Sequence, residues 1–281
     1  MALEHTRGDP LLTLSNVNLT LGEGERRRLI LRDVDAKIVD IRRAGLRQGQ
    51  VTGLLGPSGI GKTQLFKIIA GTQAPDDGTV AVGIKQEPPR PGRVGVVTQH
   101  YRVFRHLTTL ENLVFAGRQG GLSKAAATEQ ARGYLHRFKL DAQSNLWPGQ
   151  LSGGQRQRVA ILQQVMVGHD FICMDEPFSG LDVNQVEAVA RLLCELVSDN
   201  ELLTIIVVTH DIGAAISVSD TLWLMGREQD HSGQFLDGAK VVTIYDLVGM
   251  ELAWNPDIRE DPRFLELEAQ ITKRFRTLVP L

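Results

Sequence analysis

The sequence has few cysteines, few aromatic residues and no long hydrophobic run, and these shortages exclude several classes of protein. Only two cysteines occur, Cys173 and Cys194, and neither has a partner at metal-ligand spacing, which argues against a disulfide framework or a structural zinc site. No stretch approaches the roughly 18 consecutive apolar residues of a membrane helix. The first ten residues are polar and lack the apolar core of a signal peptide, so we expect a cytoplasmic chain.

Charge of one sign is also lacking, because 31 Lys and Arg residues nearly balance 33 Asp and Glu residues. A dedicated nucleic-acid binder is usually basic, so we expect no direct nucleic-acid partner. What the chain of 281 residues does have is a hydrophobic content of 42%, enough for a large core. Its 28 glycines exceed the usual share of about 7% and predict tight turns and loops that approach ligands.

Short apolar runs alternate with helical patterns along the chain, which predicts an α/β fold with a parallel sheet covered on both faces. The predicted buried strands are 51–55, 94–97, 171–174 and 204–208, and the predicted helices are 63–71, 108–139, 155–167 and 183–197. Alternating apolar residues at 12–21 and 34–38 predict half-exposed strands. The charged run at 42–45 favours a solvated turn, and apolar residues at helical spacing over 264–278 predict a packing helix.

A glycine-rich segment follows the predicted strand 51–55 and opens a predicted helix. It consists of Gly56, Pro57, Ser58, Gly59, Ile60, Gly61, Lys62 and Thr63, the pattern of a phosphate-binding loop. Glycines allow backbone N–H groups to turn around phosphate oxygens, and the helix N-terminus adds partial positive charge. Lys62 supplies a point charge at the β- and γ-phosphates, and Thr63 offers a hydroxyl to Mg²⁺. The sequence therefore predicts nucleotide binding.

Two carboxylates, Asp175 and Glu176, end the predicted strand 171–174. Because ligands gather at the carboxyl ends of parallel strands, Asp175 can reach the Mg²⁺ shell and Glu176 can act on an attacking water. Taken without the phosphate loop, the pair would be read as surface carboxylates. A further segment, Leu151–Gln155, places a serine and two glycines at the start of a predicted helix, which is a second anion-binding N-terminus.

Together these motifs resemble those of the ATP-binding cassette (ABC) ATPases, the nucleotide-binding subunits of transporters. Gly56–Thr63 resembles the Walker A loop, Phe171–Glu176 the Walker B strand, and Leu151–Gln155 is the family signature. The resemblance covers roughly residues 11–250 as one ABC ATPase domain. It implies a P-loop NTPase core with a mainly parallel sheet, an N-terminal antiparallel β-subdomain and an inserted α-helical subdomain at about 100–165. Residues 251–281 are then a C-terminal helical extension.

The resemblance also assigns roles to residues that composition and spacing do not single out. A lone histidine after a strand is more often structural, but His210 resembles the switch histidine because it follows the Walker B segment. Gln99 resembles the Q-loop glutamine, and Asp182 ends a segment that resembles the D-loop. The implied catalytic residues are Glu176, His210 and Gln99, and the implied Mg²⁺ ligands are Thr63, Gln99 and Asp175. The implied ATP contacts are Gly56, Pro57, Ser58, Gly59, Ile60, Gly61, Lys62, Thr63, Gln64, Ser152, Gly153, Gly154, Gln155 and Asp182.

Each motif occurs once, and in this family the Walker A loop of one subunit and the signature of another enclose ATP. The resemblance therefore implies a dimer, with a second copy or a related cassette, and separate transmembrane permease subunits. The chain would lie peripherally on the inner face of the cell membrane. The implied function is ATP hydrolysis that drives solute import, and the nitrate, sulfonate and taurine importer cassettes are the most similar type. The cargo is selected by other subunits.

Alternatives remain open at this point. Lipid-trafficking and export cassettes share several of these motifs, and a non-transport ABC ATPase would act on nucleic acid or ribosomes. A nucleotide kinase or GTPase has no role for Leu151–Gln155. The chain also departs from the family pattern, because Leu21 stands where an aromatic residue often stacks on adenine and Gln64 stands where Ser or Thr is commoner.

Overall fold

A computed structural model describes residues 5–43, 48–253, 255 and 257–278. The strands in these ranges are β1 (His5–Leu21), β2 (Arg28–Arg43), β3 (Gln50–Leu55), β4 (Asp77–Val82), β5 (Gly95–Val97), β6 (Phe171–Asp175), β7 (Thr204–Thr209), β8 (Thr221–Gly226) and β9 (Lys240–Asp246). The helices there are α1 (Lys62–Ile69), α2 (Thr109–Gln119), α3 (Lys124–Arg137), α4 (Gly153–Val167), α5 (Val183–Asp199), α6 (Ile212–Val218) and α7 (Pro262–Phe275).

The larger sheet has the strand order β5-β6-β7-β3-β8-β9. Its first five strands are parallel, and β9 pairs antiparallel with β8 at one edge. The register pairs Leu55 of β3 with Thr209 of β7, and Val208 of β7 with Asp175 of β6. Three strands therefore end side by side, and the loops that follow them meet at one edge of the sheet. The predicted α/β fold class is confirmed.

The smaller sheet is antiparallel, with the order β2-β1-β4, and forms the expected N-terminal β-subdomain. Its inner face is apolar because alternate residues such as Leu12, Leu14 and Ile38 are buried. The predicted turn at 42–45 is wrong for its first two residues, since Arg42 and Arg43 lie in β2 and pair with Thr6 and His5. Arg42 is exposed, so its side chain remains in water while its backbone pairs within the sheet. Residues 44 and 45 lie outside the described ranges.

An α-helical insertion separates β5 from β6 and contains α2, α3 and α4. The single helical stretch predicted over 108–139 is in fact two helices, because Gly121 has a φ of +92° and reverses the chain between them. Thr108 caps α2 and Ser123 caps α3, each accepting a hydrogen bond from a backbone N–H three residues on. The buried faces of all three helices join the side of the main sheet that α5 also covers.

The C-terminal helix α7 packs against the β8 and β9 end of the main sheet. Phe264, Leu267 and Ile271 are buried with Leu224 and Leu247 in one apolar cluster. The predicted packing helix is therefore confirmed. Pattern reasoning had not singled out β4, α6, β8 or β9.

Candidate nucleotide-binding site

The glycine-rich loop joins the carboxyl end of β3 to the start of α1. Gly59 has a φ of +78° and Gly61 a φ of +112°, and residues other than glycine rarely adopt these values. At Gly61 a Cβ atom would also lie 3.2 Å from the Ile30 Cγ2 atom. Gly61 is the N-cap of α1, so the loop directs the unpaired N–H groups of a helix start toward its own concave side. The local geometry suits an anion.

Lys62 lies inside this loop and is only 6% exposed. Its Nζ atom donates hydrogen bonds to the carbonyl oxygens of Gly56 at 2.7 Å and Pro57 at 3.1 Å. Burial lowers the pKa of Lys62, and the nearby charges of Glu176 and Asp175 oppose that shift. Because its two hydrogen bonds go to neutral carbonyl oxygens, the Lys62 ammonium can exchange them for stronger, charge-assisted contacts with phosphate oxygens.

The two carboxylates at the end of β6 have different surroundings. Burial, and then the charge of Glu176, raises the pKa of Asp175, while Lys62 lowers it. Glu176 has a φ of +50°, and its backbone N–H donates to the Val208 carbonyl at 2.8 Å. This left-handed backbone turns the Glu176 side chain away from the strand direction that Asp175 follows. The pair is therefore not a simple surface pair of carboxylates.

The end of β7 supplies two partners to Glu176. The His210 Nδ1 atom lies 2.9 Å from Glu176 Oε1, and the Thr209 hydroxyl donates to Glu176 Oε2 at 3.1 Å. The Glu176 side chain is 17% exposed and that of His210 is 54% exposed, so the histidine forms the outer wall. Sequence reasoning missed Thr209. The available signal was a hydroxyl residue that ends an apolar strand directly before His210.

Gln99 follows β5 and lies beside the turn that follows Glu176. Its Nε2 atom donates to the Ser179 hydroxyl at 3.5 Å, and the Ser179 N–H donates to the Glu176 carbonyl at 3.2 Å. Thr63 is exposed in the first turn of α1. Thr63, Gln99 and Asp175 offer hydroxyl, amide and carboxylate oxygens, which are the donor types that Mg²⁺ prefers. Within the described ranges, no group of three or more His, Cys, Asp or Glu side chains could hold a metal ion.

The signature segment forms the start of α4. Ser152 Oγ accepts a hydrogen bond from the Gln155 N–H at 3.2 Å, and Gln155 Oε1 accepts one from the Ser152 N–H at 2.9 Å. This reciprocal cap leaves Ser152 and Gly153 exposed. Among the residues that the structure describes, no hydrogen bond joins Ser152–Gln155 to the glycine-rich loop. The chain therefore does not close its second anion-binding helix onto its first.

Asp182 and Leu21 flank the site in different ways. Asp182 caps α5 by accepting a hydrogen bond from the Gln185 N–H at 2.9 Å, and the Gln185 side chain lies beside Gly154. Leu21 is partly buried and packs with Ile30 against the apolar cluster that contains Ile60. The position at which related proteins often carry an aromatic ring is thus occupied here by an aliphatic side chain that packs against the core.

Comparison with known proteins agrees with this geometry. The family model described as ABC transporter matches residues 42–179. The sulfate/thiosulfate import ATP-binding protein CysA of Pseudomonas syringae pv. tomato is 37% identical over 189 residues, which is 65% of this chain and 58% of that protein. The spermidine/putrescine import ATP-binding protein PotA of Treponema pallidum is 39% identical over 194 residues, or 67% of this chain and 50% of that protein. The chain spans about half the length of these curated relatives.

Solved structures give the same result. The ATP-binding cassette MJ0796, in a dimeric post-hydrolysis state with ADP and Pi, has a TM-score of 0.65 and 26% identity over 84% of this chain and 98% of its own. The cbiO1 protein of Clostridium perfringens has a TM-score of 0.70 over 94% of this chain and 99% of its own, and at 22% identity it shows the fold alone.

The parallel sheet, the glycine-rich loop and the carboxylate pair define a P-loop nucleotide-binding domain. The family and structural matches then identify it further: the chain contains an ATP-binding domain of the ABC transporter family. In the part of the chain that the structure describes, no helix is long and apolar enough to cross a membrane.

Proposed function

We propose that the chain is the ATP-hydrolysing subunit of a solute importer and that it works with separate permease subunits. The observation that carries this proposal is the position of Glu176, whose carboxylate is bonded to His210 and Thr209 beside the buried ammonium of Lys62. A carboxylate held next to a phosphate-binding loop is the arrangement that hydrolysis of a nucleotide requires. The importer relatives and the dimeric cassettes of similar fold support it.

The glycine-rich loop binds the phosphates of ATP in this proposal. The backbone N–H groups of Gly59–Thr63 surround phosphate oxygens, and Lys62 exchanges its two carbonyl contacts for charge-assisted contacts with phosphate. Thr63, Asp175 and Gln99 would hold Mg²⁺ together with phosphate oxygens. When bound, Mg²⁺ neutralises charge that develops on the phosphates. Contacts from Gly56–Gln64 thus hold the substrate and contribute most of its affinity.

Glu176 acts on the attacking water. Its carboxylate orients the water and accepts a proton from it, while Thr209 restricts rotation of the carboxylate through Oε2. The ring nitrogen of His210 that Glu176 does not contact is exposed enough to reach the γ-phosphate, and it donates there when the imidazole is doubly protonated. Lys62 is buried beside these groups, so water screens the charge of its ammonium less than it would at the surface.

A second cassette completes the site. Ser152 and Gly153 are exposed at the start of α4, Gly154 follows them, and among the described residues none of the three has a hydrogen bond to the glycine-rich loop. Such an N-terminus binds anions, and a partner chain can bring its own copy to the γ-phosphate bound at Lys62. Asp182, beside that segment, would lie at the same interface. The partner is a second copy or a related cassette, and closure of the pair drives the permease.

A cavity of about 780 Å³ supports a permease partner. It lies between the segment that follows Gln99 and the segment that precedes the signature. Arg102, Arg105 and Arg156 line it, and Trp147, also in the lining, is 47% exposed. No Asp or Glu is among the described lining residues, so the groove suits a short segment with acidic side chains. We propose that a cytoplasmic loop of the permease occupies it and holds the chain at the membrane.

Domain limits and transport direction belong to the same proposal. The ABC ATPase domain spans 11–250 with its helical subdomain at about 100–165, and 251–281 is a C-terminal extension. Import is favoured because the relatives named above are import ATP-binding proteins. Those relatives act on sulfate/thiosulfate or spermidine/putrescine, so the prediction of a nitrate, sulfonate or taurine type stays a prediction.

The substitution Glu176→Gln tests the proposal. It keeps the size of the side chain and removes the carboxylate that accepts the proton, so we expect unchanged ATP affinity and a loss of hydrolysis of about a hundredfold or more. ATP should then trap a stable dimer, which size-exclusion chromatography would detect. Glu187→Gln, on helix α5 outside the site, is the matched control. Normal turnover by Glu176→Gln would remove Glu176 from the mechanism, and wild-type chain without ATPase activity would overturn the proposed function.

A further inference from the structure

One backbone carbonyl receives hydrogen bonds from two other segments of the chain. The Pro177 carbonyl accepts a hydrogen bond from Gln157 Nε2 on α4, and a second, longer one from the Tyr101 hydroxyl at 3.4 Å. Gln157 is 0% exposed and Tyr101 is 9% exposed, so water does not compete for these donors. Two buried side-chain donors therefore restrict the orientation of the Pro177 carbonyl.

The three segments that meet there each belong to a different functional motif. Tyr101 lies two residues after Gln99, Pro177 directly follows Glu176, and Gln157 lies five residues after Ser152 on the same helix. Burial, and then the charge of Glu176, raises the pKa of the Tyr101 phenol, so the hydroxyl remains a donor.

The Pro177 carbonyl constrains the backbone of Glu176. Glu176 has a φ of +50°, a conformation that non-glycine residues take only when their surroundings impose it. On one side, the Glu176 N–H is fixed to the Val208 carbonyl. On the other side, the proline ring fixes the φ of Pro177, and the donors from Gln157 and Tyr101 fix the direction of its carbonyl. The backbone is therefore held on both sides of the carboxylate.

We infer that Gln157 and Tyr101 are positioning residues for Glu176. This rests on the proposed function, in which Glu176 acts on the water that attacks the nucleotide bound by this chain. The two donors hold the Pro177 carbonyl and thereby restrict the backbone that carries the Glu176 carboxylate.

The first test is Gln157→Met in the full chain, which preserves side-chain size and removes the donor. We expect kcat for ATP hydrolysis to fall about tenfold while KM stays within about twofold, because no hydrogen bond joins Gln157 to the glycine-rich loop in the part of the chain that the structure describes. Tyr101→Phe removes a weaker donor and should lower kcat about threefold. Tyr134→Phe, on α3 in the same apolar cluster, is the control that should leave kcat unchanged.

The second test separates positioning from a merely structural role. If Gln157 acts through Glu176, Gln157→Met should cause no further loss of single-turnover rate in a Glu176→Gln background. A structural role predicts the same tenfold loss in both backgrounds, and that result would overturn the inference. It would also be overturned if both Tyr101→Phe and a folded Gln157→Met kept wild-type kcat. A wild-type chain that does not hydrolyse ATP would instead remove the proposed function on which the inference rests.

Discussion

The two anion-binding helix starts of this chain differ in how complete they are. At the start of α1, the loop of 56–61 is backed by Lys62, Asp175 and Glu176, and the carboxylate of Glu176 is bonded to residues of β7. At the start of α4, the side chains of Ser152 and Gln155 each accept a hydrogen bond from the backbone N–H of the other residue, and Ser152 is exposed. Both starts offer unpaired N–H groups, but among the described residues only the first has a buried ammonium with two carboxylates near it.

This difference shows why the start of α1 can bind a nucleotide within a single chain and the start of α4 cannot. A helix N-terminus by itself contributes modestly to anion binding in water, whereas a buried ammonium and ordered carboxylates add specificity and chemistry. The start of α4 is already capped by its own serine, so an approaching phosphate must meet it from outside the chain. The α1 site should therefore bind nucleotide in an isolated chain, and the α4 site should act only across a dimer.

The largest expected effect comes from Lys62→Ala. This substitution removes the buried ammonium from the site at the start of α1, so ATP affinity should fall several hundredfold. Isothermal titration with ATP in the absence of a partner measures it. Lys67→Ala, an exposed lysine on the same helix, is the control and should bind ATP as the wild type does. Equal affinity for Lys62→Ala and wild type would mean that the loop is not the phosphate site.

A smaller effect on the ATPase activity is expected from Ser152→Ala at the start of α4. The affinity of the isolated chain for ATP should not change, but dimer formation and hydrolysis should fall about thirtyfold because a donor to the partner's phosphate is lost. Steady-state ATPase rates and sedimentation with ATP measure these two quantities.

The control for Ser152→Ala is Ser123→Ala at the start of α3. Ser123 also caps a helix, by accepting from the Ala126 N–H at 3.2 Å, so both substitutions should cost about 1 kcal/mol of stability. Only Ser152→Ala should slow hydrolysis. Equal hydrolysis by the two variants would show that Ser152 is a cap and nothing more.

The smallest expected effect concerns Leu21, on the aliphatic side of the glycine-rich loop at the start of α1. Leu21→Tyr adds a ring where the nucleotide base is expected, and stacking should raise ATP affinity about fivefold. Competition between ATP and a triphosphate without a base measures the gain. Leu11→Tyr, on the same strand and partly buried, is the matched control and should not change affinity. An unchanged ATP affinity in Leu21→Tyr would place the base elsewhere.

Much of the fold could be predicted because its signals are local. The predicted buried strands 51–55, 171–174 and 204–208 each differ from the observed strand by one residue, since continuous apolar runs bounded by polar turns mark them clearly. The strands β8 and β9 and the helix α6 were missed, and their burial depends on packing against α7 and on their place at the sheet edge, which local patterns do not show. The two helices within 108–139 were merged because the segments on both sides of the Gly120–Ser123 turn have helical patterns, which outweighed the two glycines between them.

The candidate site could be predicted as a set of residues, but not as a set of contacts. The spacing of Lys62, Thr63, Asp175 and Glu176 identified chemistry that the structure gathers at one sheet edge. Thr209 escaped notice because a threonine at a strand end is ordinary, and its role appears only when Glu176 lies beside it. Gln157 gave no signal because a glutamine in a polar helix stretch is expected to be exposed.

The sequence by itself determined the phosphate-loop chemistry, the order of the motifs and the balance of charge, because those depend on residue type and on neighbours along the chain. Only the tertiary structure decided which residues face one another. The parallel pairing of β3, β6 and β7 brings residues more than a hundred positions apart to one edge, and the positive φ of Glu176 turns its carboxylate toward His210. Local patterns cannot encode such contacts, because they arise from the register and packing of distant segments.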